Sequence, residues 1–167
     1  MSRDGAVHKR EDSITLRFER RLAHPIETVW RAITEPAELS GWFGRAEIEL
    51  EPGGRFVSYH GPDEEMRVED SILRVEPPRL FEHTFWKDAT PRSVVRWELT
   101  PIDEGTLLVL THTFGEDEIP NRARNAAGWH RMVDMLAAHL DGRPDPGKSP
   151  ALREQLEERY RYLDAQV

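Results

Sequence analysis

Three ionisable side chains could carry chemistry in this chain, namely His60, Glu69 and His112. His112 lies in an alternating segment whose apolar residues share its face, so its ring is expected to point to the apolar side of a sheet. An imidazole there could act as a general base, or could donate a hydrogen bond to a bound carbonyl group. The alternative is a buried neutral histidine that is satisfied by a backbone carbonyl. His60 and Glu69 could form a catalytic dyad only if strand register brings them together.

Large aromatic residues accompany these polar groups in the same alternating segments. A mostly apolar lining with a few polar points is typical of a small-molecule pocket. The same rings could equally form a filled core, because Trp and Phe dominate protein interiors. The residues expected to line the pocket are Trp42, Phe56, Ser58, His60, Glu69, Ser71, Trp97, Leu110, His112, Phe114 and Trp129.

The facing of two strands decides several of these assignments. The spacing of Leu73 and Val75 indicates that Glu69 and Ser71 lie on the inner face. Ile72, in contrast, favours the opposite facing of this strand. The segment from Leu80 to Trp86 is ambiguous, since either its odd-numbered or its even-numbered residues could point inward.

The sequence contains no motif that is typical of a metal site or of nucleophilic catalysis. The seven histidines are scattered without an HExxH pattern or a pair at i and i+4, so no metal site is expected. The chain has no cysteine, and its serines do not lie in a GxSxG turn. Glycine-rich nucleotide motifs are also missing from the sequence, so no cofactor is expected.

The elements that must position these side chains follow one another along the chain. Residues 1–12 are polar and aperiodic and are expected to be a mobile tail. Alternation from Ile14 to Phe18 predicts a strand, and two short helices follow, one beginning near Pro25 and one at Pro36. Six further short strands, separated by turns, occupy residues 46–114 and predict an antiparallel meander.

The last third of the chain has a helical pattern. A wide apolar stripe predicts a long helix from Asn121 to Leu140. Residues 142–149 form a Gly/Pro-rich linker. Residues 150–167, which follow a serine cap and begin with a proline, predict a final helix. Its leucine and tyrosine stripe is expected to pack on the domain formed by residues 13–141, or on a second copy in a homodimer.

Two further features admit alternative explanations. Gly128 interrupts the long helix, so either a ligand, a neighbouring strand or Trp42 could approach the helix closely there. Leu107 and Val109 lie on the strand face that should be polar. The final helix or a dimer partner is expected to cover them, although two isolated exposed apolar residues would need no cover.

Composition bounds the classes of partner. The 167 residues carry 31 acidic and 23 basic side chains, a net charge of −8. That charge disfavours nucleic acid and anionic membrane surfaces, which both bind Lys and Arg. No apolar run approaches the roughly 20 residues that span a bilayer, and the N-terminus does not have the pattern of a signal peptide. A cytoplasmic location is therefore expected.

A series of short motifs resembles the START-like, helix-grip superfamily, and within it the homologues of the activator of the heat-shock-protein-90 ATPase. The resemblance covers about Ser13 to Leu140. The motifs are Pro25, Val29-Trp30, Trp42-Phe43-Gly44, Pro52-Gly53-Gly54, Pro77-Pro78-Arg79-Leu80, Gly105-Thr106 with Leu108, Leu110 and His112, and Gly128-Trp129 with Leu136 and Leu140. The resemblance implies an α+β fold, in which a curved antiparallel sheet of seven strands wraps around the long helix and leaves a mostly apolar pocket.

Three functions are compatible with this fold. The first is the binding of a small hydrophobic or aromatic molecule in the internal pocket, without turnover. The second, implied by the family resemblance, is a protein-interaction module that contacts a chaperone. The third is a cyclase or dehydratase that uses His112, or His60 with Glu69. The fold is compatible with all three functions, so the geometry of the site is needed to distinguish them.

Overall fold

One antiparallel sheet organises the chain in the computed structural model, which describes residues 3–146 and 149–165. The sheet has eight strands rather than the expected seven, and their order from edge to edge is β1-β2-β8-β7-β6-β5-β4-β3. In chain order the strands β1 to β8 are Ala6–Lys9, Ser13–Leu22, Ala46–Ile48, Arg55–His60, Met66–Glu76, Leu80–Thr84, Val94–Ile102 and Gly105–Gly115.

Four helices complete the fold. α1 (Ile26–Thr34) and α2 (Pro36–Leu39) connect β2 to β3, and the long α3 (Arg122–Asp141) follows β8. α4 (Pro150–Tyr160) continues into a 3₁₀ turn (Arg161–Leu163). This arrangement confirms the predicted α+β, helix-grip class. None of the helices in residues 3–146 and 149–165 is long and apolar enough to cross a bilayer.

The additional strand, β1, lies where the sequence predicted a mobile tail. It forms one edge of the sheet and pairs with β2, with Val7 opposite Leu16. Val7 also packs against the core. Alternation could not reveal this strand, because an edge strand gains its backbone hydrogen bonds from its neighbour whether or not its side chains are apolar.

A bulge in β5 corrects the predicted facing of that strand. Ile72 lies opposite His83 and Val75 lies opposite Phe81, so Leu73 is an extra residue between the two paired segments. An extra residue reverses the alternation on one side of the bulge. Ile72 and Val75 therefore share the inner face, and Leu73 is exposed.

α4 packs against α3 on the inner side of the sheet. The Tyr160 hydroxyl accepts a hydrogen bond from the backbone N–H of Gly5 at 2.8 Å and lies 2.8 Å from Nδ1 of His130. The Tyr160 ring also meets the edge of Phe18, whose strand neighbour is Leu110 of the inner face. The final helix is thereby held to the sheet edge and to α3 at once.

The position of α4 corrects the expected cover for Leu107 and Val109. These residues belong to the opposite face of β8, where both are half-buried. Val109 lies between Glu19 and Glu98 of the neighbouring strands. The stems of long charged side chains can shield apolar neighbours, so this face needs no helix.

Candidate functional site

A hydrogen-bonded cluster lies where β8 meets α3. Trp129 Nε1 donates to Nδ1 of His112 at 2.9 Å, and Nε2 of His112 lies 2.5 Å from the Ser93 hydroxyl. The Asn125 amide lies 3.1 Å from the same Nδ1. His112 is 1% exposed and Ser93 is 0% exposed, so solvent reaches neither.

The Trp129 indole fixes the tautomer of His112. An indole N–H can only donate, so Nδ1 must accept and Nε2 must carry the proton. His112 therefore donates to Ser93. We assign the NH₂ group of Asn125, rather than its oxygen, to the side that faces the ring. Burial lowers the pKa of His112 to about 4, which keeps the ring neutral at physiological pH.

This proton arrangement is the reverse of that in a nucleophilic triad. Ser93, His112 and Asn125 lie in the order of a Ser–His–Asn relay, but a catalytic histidine would accept the serine proton at Nε2. Here Nε2 already carries a proton, and the serine is enclosed. The cluster is thus suited to holding Trp129 in place rather than to activating Ser93.

A second cluster of the same kind lies deeper in the core. Trp97 Nε1 donates to Nε2 of His83 at 3.1 Å, and the other ring nitrogen donates to the carbonyl of Thr84 at 2.6 Å. Burial lowers the pKa of His83 to about 4. Phe56 and Phe81 both pack against this imidazole, with centroids 4.8 and 5.0 Å away. His83 shows that the odd-numbered residues of Leu80 to Trp86 face inward.

Aromatic rings occupy the space between the sheet and α3. Trp97 contacts Trp42 at 6.1 Å and Trp129 at 6.0 Å between ring centroids. Trp42 also contacts Phe43 at 5.7 Å, and its indole N–H donates to the carbonyl of Ala32. This continuous chain of rings, with no hydrogen-bonding group of an indole left free, is the packing of a core. The expected hollow beneath the helix is filled by the rings that were predicted to line it.

Most of the predicted site residues lie on the inner face. Phe56, Ser58, Leu110 and Phe114 are buried there together with the three tryptophans and His112. The hydroxyl of Ser58 lies 2.8 Å from Nε2 of His60. Burial also lowers the pKa of His60.

Glu69 and Ser71 do not join this group. Glu69 lies opposite Val57 and Ser71 lies opposite Arg55, which places both on the outer face. Glu69 forms an ion pair with Arg67 at 2.8 Å, and hydrogen bonding to Arg67 lowers its pKa. The proposed dyad of His60 with Glu69 is therefore wrong, because the two side chains lie on opposite faces of the sheet.

Several polar residues of the inner side were missed by sequence reasoning, among them Asp70, Asn125 and Ser93. Asp70 is 1% exposed, and its carboxylate accepts hydrogen bonds from Thr84 Oγ1 and from the backbone N–H groups of Trp86 and Lys87. The sequence signal for the inward position of Asp70 is its spacing of two residues from Ile72, which places both side chains on the same face of the strand. Asn125 precedes Trp129 by one helical turn, a usable signal. Nothing in the sequence singles out Ser93, whereas His83 belongs to the segment whose facing the sequence left open.

A groove opens beside the first cluster and forms the candidate binding site. This cavity of about 150 Å³, the Trp129 groove, is lined by Phe85, Asn125, Gly128, Trp129, Arg131 and Met132. Its walls are mainly aromatic and aliphatic, and the amide of Asn125 supplies a polar point. The Phe85 and Trp129 rings are 5.1 Å apart, and His112 lies behind both.

Gly128 is the floor of this groove. A Cβ built at this position would have no atom within 4 Å, so neither a strand nor Trp42 packs against the helix here. The close-approach explanation from within the fold is therefore wrong. The space above the glycine is open, as the ligand explanation requires.

Two larger depressions are less suited to an apolar ligand. They have volumes of about 620 and 370 Å³ and are lined mostly by charged side chains, among them Arg92, Asp117, Arg20 and Asp141. Many of these charges are already paired with each other. In the described part of the chain, no three acidic or histidine side chains converge as metal ligands would.

Solved structures share this fold over nearly the whole chain. A conserved protein of unknown function, EF2215 from Enterococcus faecalis, has a TM-score of 0.80 at 22% identity and covers 95% of this chain and 89% of its own. CalU16 from Micromonospora echinospora has a TM-score of 0.73 at 25% identity and covers 98% of both chains. The protein encoded by BPP1335 from Bordetella parapertussis has a TM-score of 0.71 at 27% identity, covering 96% of this chain and 92% of its own.

The sequence of residues 23–141 matches the family described as activator of Hsp90 ATPase homolog 1-like protein. Among curated proteins, none matches this chain significantly. The family match spans most of the chain, from the end of β2 to the end of α3, and its structural relatives have the same START-like fold. The chain therefore belongs to the activator of Hsp90 ATPase homolog 1-like family.

Proposed function

We propose that this protein binds a small hydrophobic or aromatic molecule in the Trp129 groove. The observation that carries the proposal is the open space above Gly128, beside the contacting rings of Phe85 and Trp129. A residue without a side chain costs about 1 kcal/mol relative to alanine in the middle of a helix. Here that cost exposes a helical backbone beside two aromatic rings.

The chemistry of the walls defines the ligand class. Phe85, Trp129 and Met132 offer two flat rings and an adaptable thioether, which suit an aromatic or aliphatic body. Asn125 can donate or accept one orienting hydrogen bond. The groove of about 150 Å³ adjoins a second cavity of about 130 Å³ at Gly128, and together they come close to the roughly 300 Å³ at which ligand pockets begin.

Binding without turnover is the form of this function that the geometry supports. His112, the residue singled out for catalysis, lies behind the groove wall with both ring nitrogens engaged. Its low pKa makes it a weak base, so a cyclase or dehydratase would have to use another group.

Filling the groove tests this proposal. We expect Gly128→Leu to weaken binding of the neutral probe N-phenyl-1-naphthylamine about tenfold, because the new side chain fills the space above the helix beside the two rings. Fluorescence titration measures the affinity. Ala37→Leu, an equal addition on an exposed helical position, is the matched control. Equal affinity in the wild type and Gly128→Leu would refute the groove as the binding site.

A chaperone contact is the second candidate, supported by the name of the family. Its test is the ATPase rate of a purified Hsp90-type chaperone with and without this protein. An unchanged ATPase rate at a saturating concentration of this protein would refute the chaperone contact, and ligand binding would be the remaining proposal.

A further inference from the structure

Three arginines lie along one side of the Trp129 groove. Arg124, Arg131 and Arg153, which we call the arginine rim, line a cavity of about 130 Å³ between α3 and α4. This cavity shares Gly128 and Arg131 with the groove, so the two spaces adjoin.

Helix geometry directs the rim toward a single space. Arg124, Gly128 and Arg131 are spaced four and three residues apart, and therefore share one face of α3. Arg153 reaches the same space from α4 and lines it together with Glu157. Three guanidinium groups and one carboxylate thus surround the open backbone at Gly128.

The charge of this site runs against that of the whole chain. The protein carries a net charge of −8, yet cations outnumber anions three to one around this cavity. Across residues 3–146 and 149–165, the side chains of Arg124 and Arg153 form no ion pair. Burial, and to a lesser extent the charge of Arg153, lowers the pKa of Arg131. Arg153 is close enough to Arg131 to disfavour its charge, whereas Asp145 favours it, and a bound anion would relieve the repulsion between the two arginines.

We propose that the ligand of the groove carries an anionic group, a carboxylate or a phosphate, which Arg124, Arg131 and Arg153 hold while its apolar body lies against Phe85 and Trp129. This inference rests on the proposed function and names the class of ligand. Guanidinium groups match both anions because their parallel N–H groups can pair with two oxygens at once. An aromatic or acyl acid has the required shape, with the charge at one end of an apolar body.

Two probes that differ by one charged group separate this inference from the proposed function. N-phenyl-1-naphthylamine is neutral, and 1-anilinonaphthalene-8-sulfonate has the same ring system with a sulfonate. We expect the wild type to bind the sulfonate more tightly. The double variant Arg124→Gln/Arg153→Gln should lose about tenfold in affinity for the sulfonate, because two charge-assisted contacts disappear. Its affinity for the neutral probe should stay the same.

A charge-matched control and a fold control accompany the titration. Arg31→Gln removes an exposed arginine from α1, away from the groove, and should change neither affinity. Near-ultraviolet circular dichroism of each variant shows whether the tertiary packing is intact, since the sulfonate also binds partly unfolded protein.

Each outcome of the titration decides one of the two proposals. If both probes bind wild type equally, or if the double variant keeps its preference for the sulfonate, the arginine rim is not an anion site, although the groove stands. If the neutral probe does not bind but sulfonate binding depends on the rim, the anion site stands and the apolar groove falls. If neither probe binds, both proposals are overturned.

Discussion

Trp97 and Trp129 form the same unit in two different settings. Each indole donates a hydrogen bond to a buried, neutral histidine, and the two rings lie 6.0 Å apart. Trp97 and His83 are enclosed by Phe56 and Phe81 within the core. Trp129, in contrast, has one side on the groove at Gly128.

The difference between the two units lies in what covers them. The core unit is covered by neighbouring rings, since Trp42 packs on Trp97 and Phe56 and Phe81 pack on His83. The outer unit is covered by α3, where a residue without a side chain exposes the backbone. The same indole-to-imidazole hydrogen bond, made to opposite tautomers, is thus enclosed in the core at one position and borders the groove at the other.

The largest effect should come from removing the two indoles in turn. We expect Trp97→Ala to lower the free energy of unfolding by about 3 to 5 kcal/mol, because it opens a core cavity and leaves His83 Nε2 unpaired. Trp129→Ala should cost at least about 1 kcal/mol less, since water can enter from the groove. Urea denaturation measures both values. Equal losses would show that the outer unit is as enclosed as the inner one.

A medium effect should appear in the pH dependence of stability. The folded-state pKa of His83 and of His112 is about 4, below the usual value of 6.5. Between pH 6.5 and pH 4, these two histidines are protonated in the unfolded chain but remain neutral in the folded protein. Their contribution to the free energy of unfolding is therefore fully present above pH 6.5 and is lost as the pH decreases toward 4. Between pH 7 and pH 5 the loss should be about 2 kcal/mol per histidine.

Glutamine variants at each histidine check this assignment. Urea midpoints of His83→Gln and His112→Gln should each show a weaker dependence on pH than the wild type. His8→Gln, which changes an exposed histidine, should leave the dependence unchanged. A weaker contribution from His112 than from His83 would mean that the groove admits water to its charged form, which sharpens the contrast between the two units.

The smallest effect should come from a single methyl group at the groove floor. We expect Gly128→Ala to stabilise the protein by about 0.5 to 1 kcal/mol, because alanine favours the helix and its Cβ meets nothing within 4 Å. Gly41→Ala is the contrasting variant. Its Cβ would lie 2.5 Å from the His139 ring, so it should destabilise the protein. Thermal melts compare the two, and a lower midpoint for Gly128→Ala would mean that the floor is not open.

Regular patterns made most of the fold predictable. Alternation predicted that β2, β7 and β8 each bury one face, and the apolar stripe predicted the same for α3. The structure has all four elements. Two features broke the patterns. The bulge at Leu73 reversed the phase of β5, so Glu69 and Ser71 were assigned to the wrong face. β1 gave no signal because its stability comes from the backbone of β2.

The candidate site was less predictable than the fold. Alternation identified which rings point inward, but it could not show whether those rings surround a space or fill it. That depends on the distances between Trp42, Trp97 and Trp129, which come from three separate elements. The proton order at His112 likewise depends on Trp129, a residue 17 positions away.

The sequence alone determined the elements, the inward set of aromatic residues and the unusual glycine within α3, because periodicity and propensity are properties of neighbouring residues. Only the tertiary structure decided that the interior is filled, that both buried histidines are neutral and that open space lies above Gly128. Those properties arise from packing between distant segments, where a shift of a few ångströms separates a closed core from a binding groove.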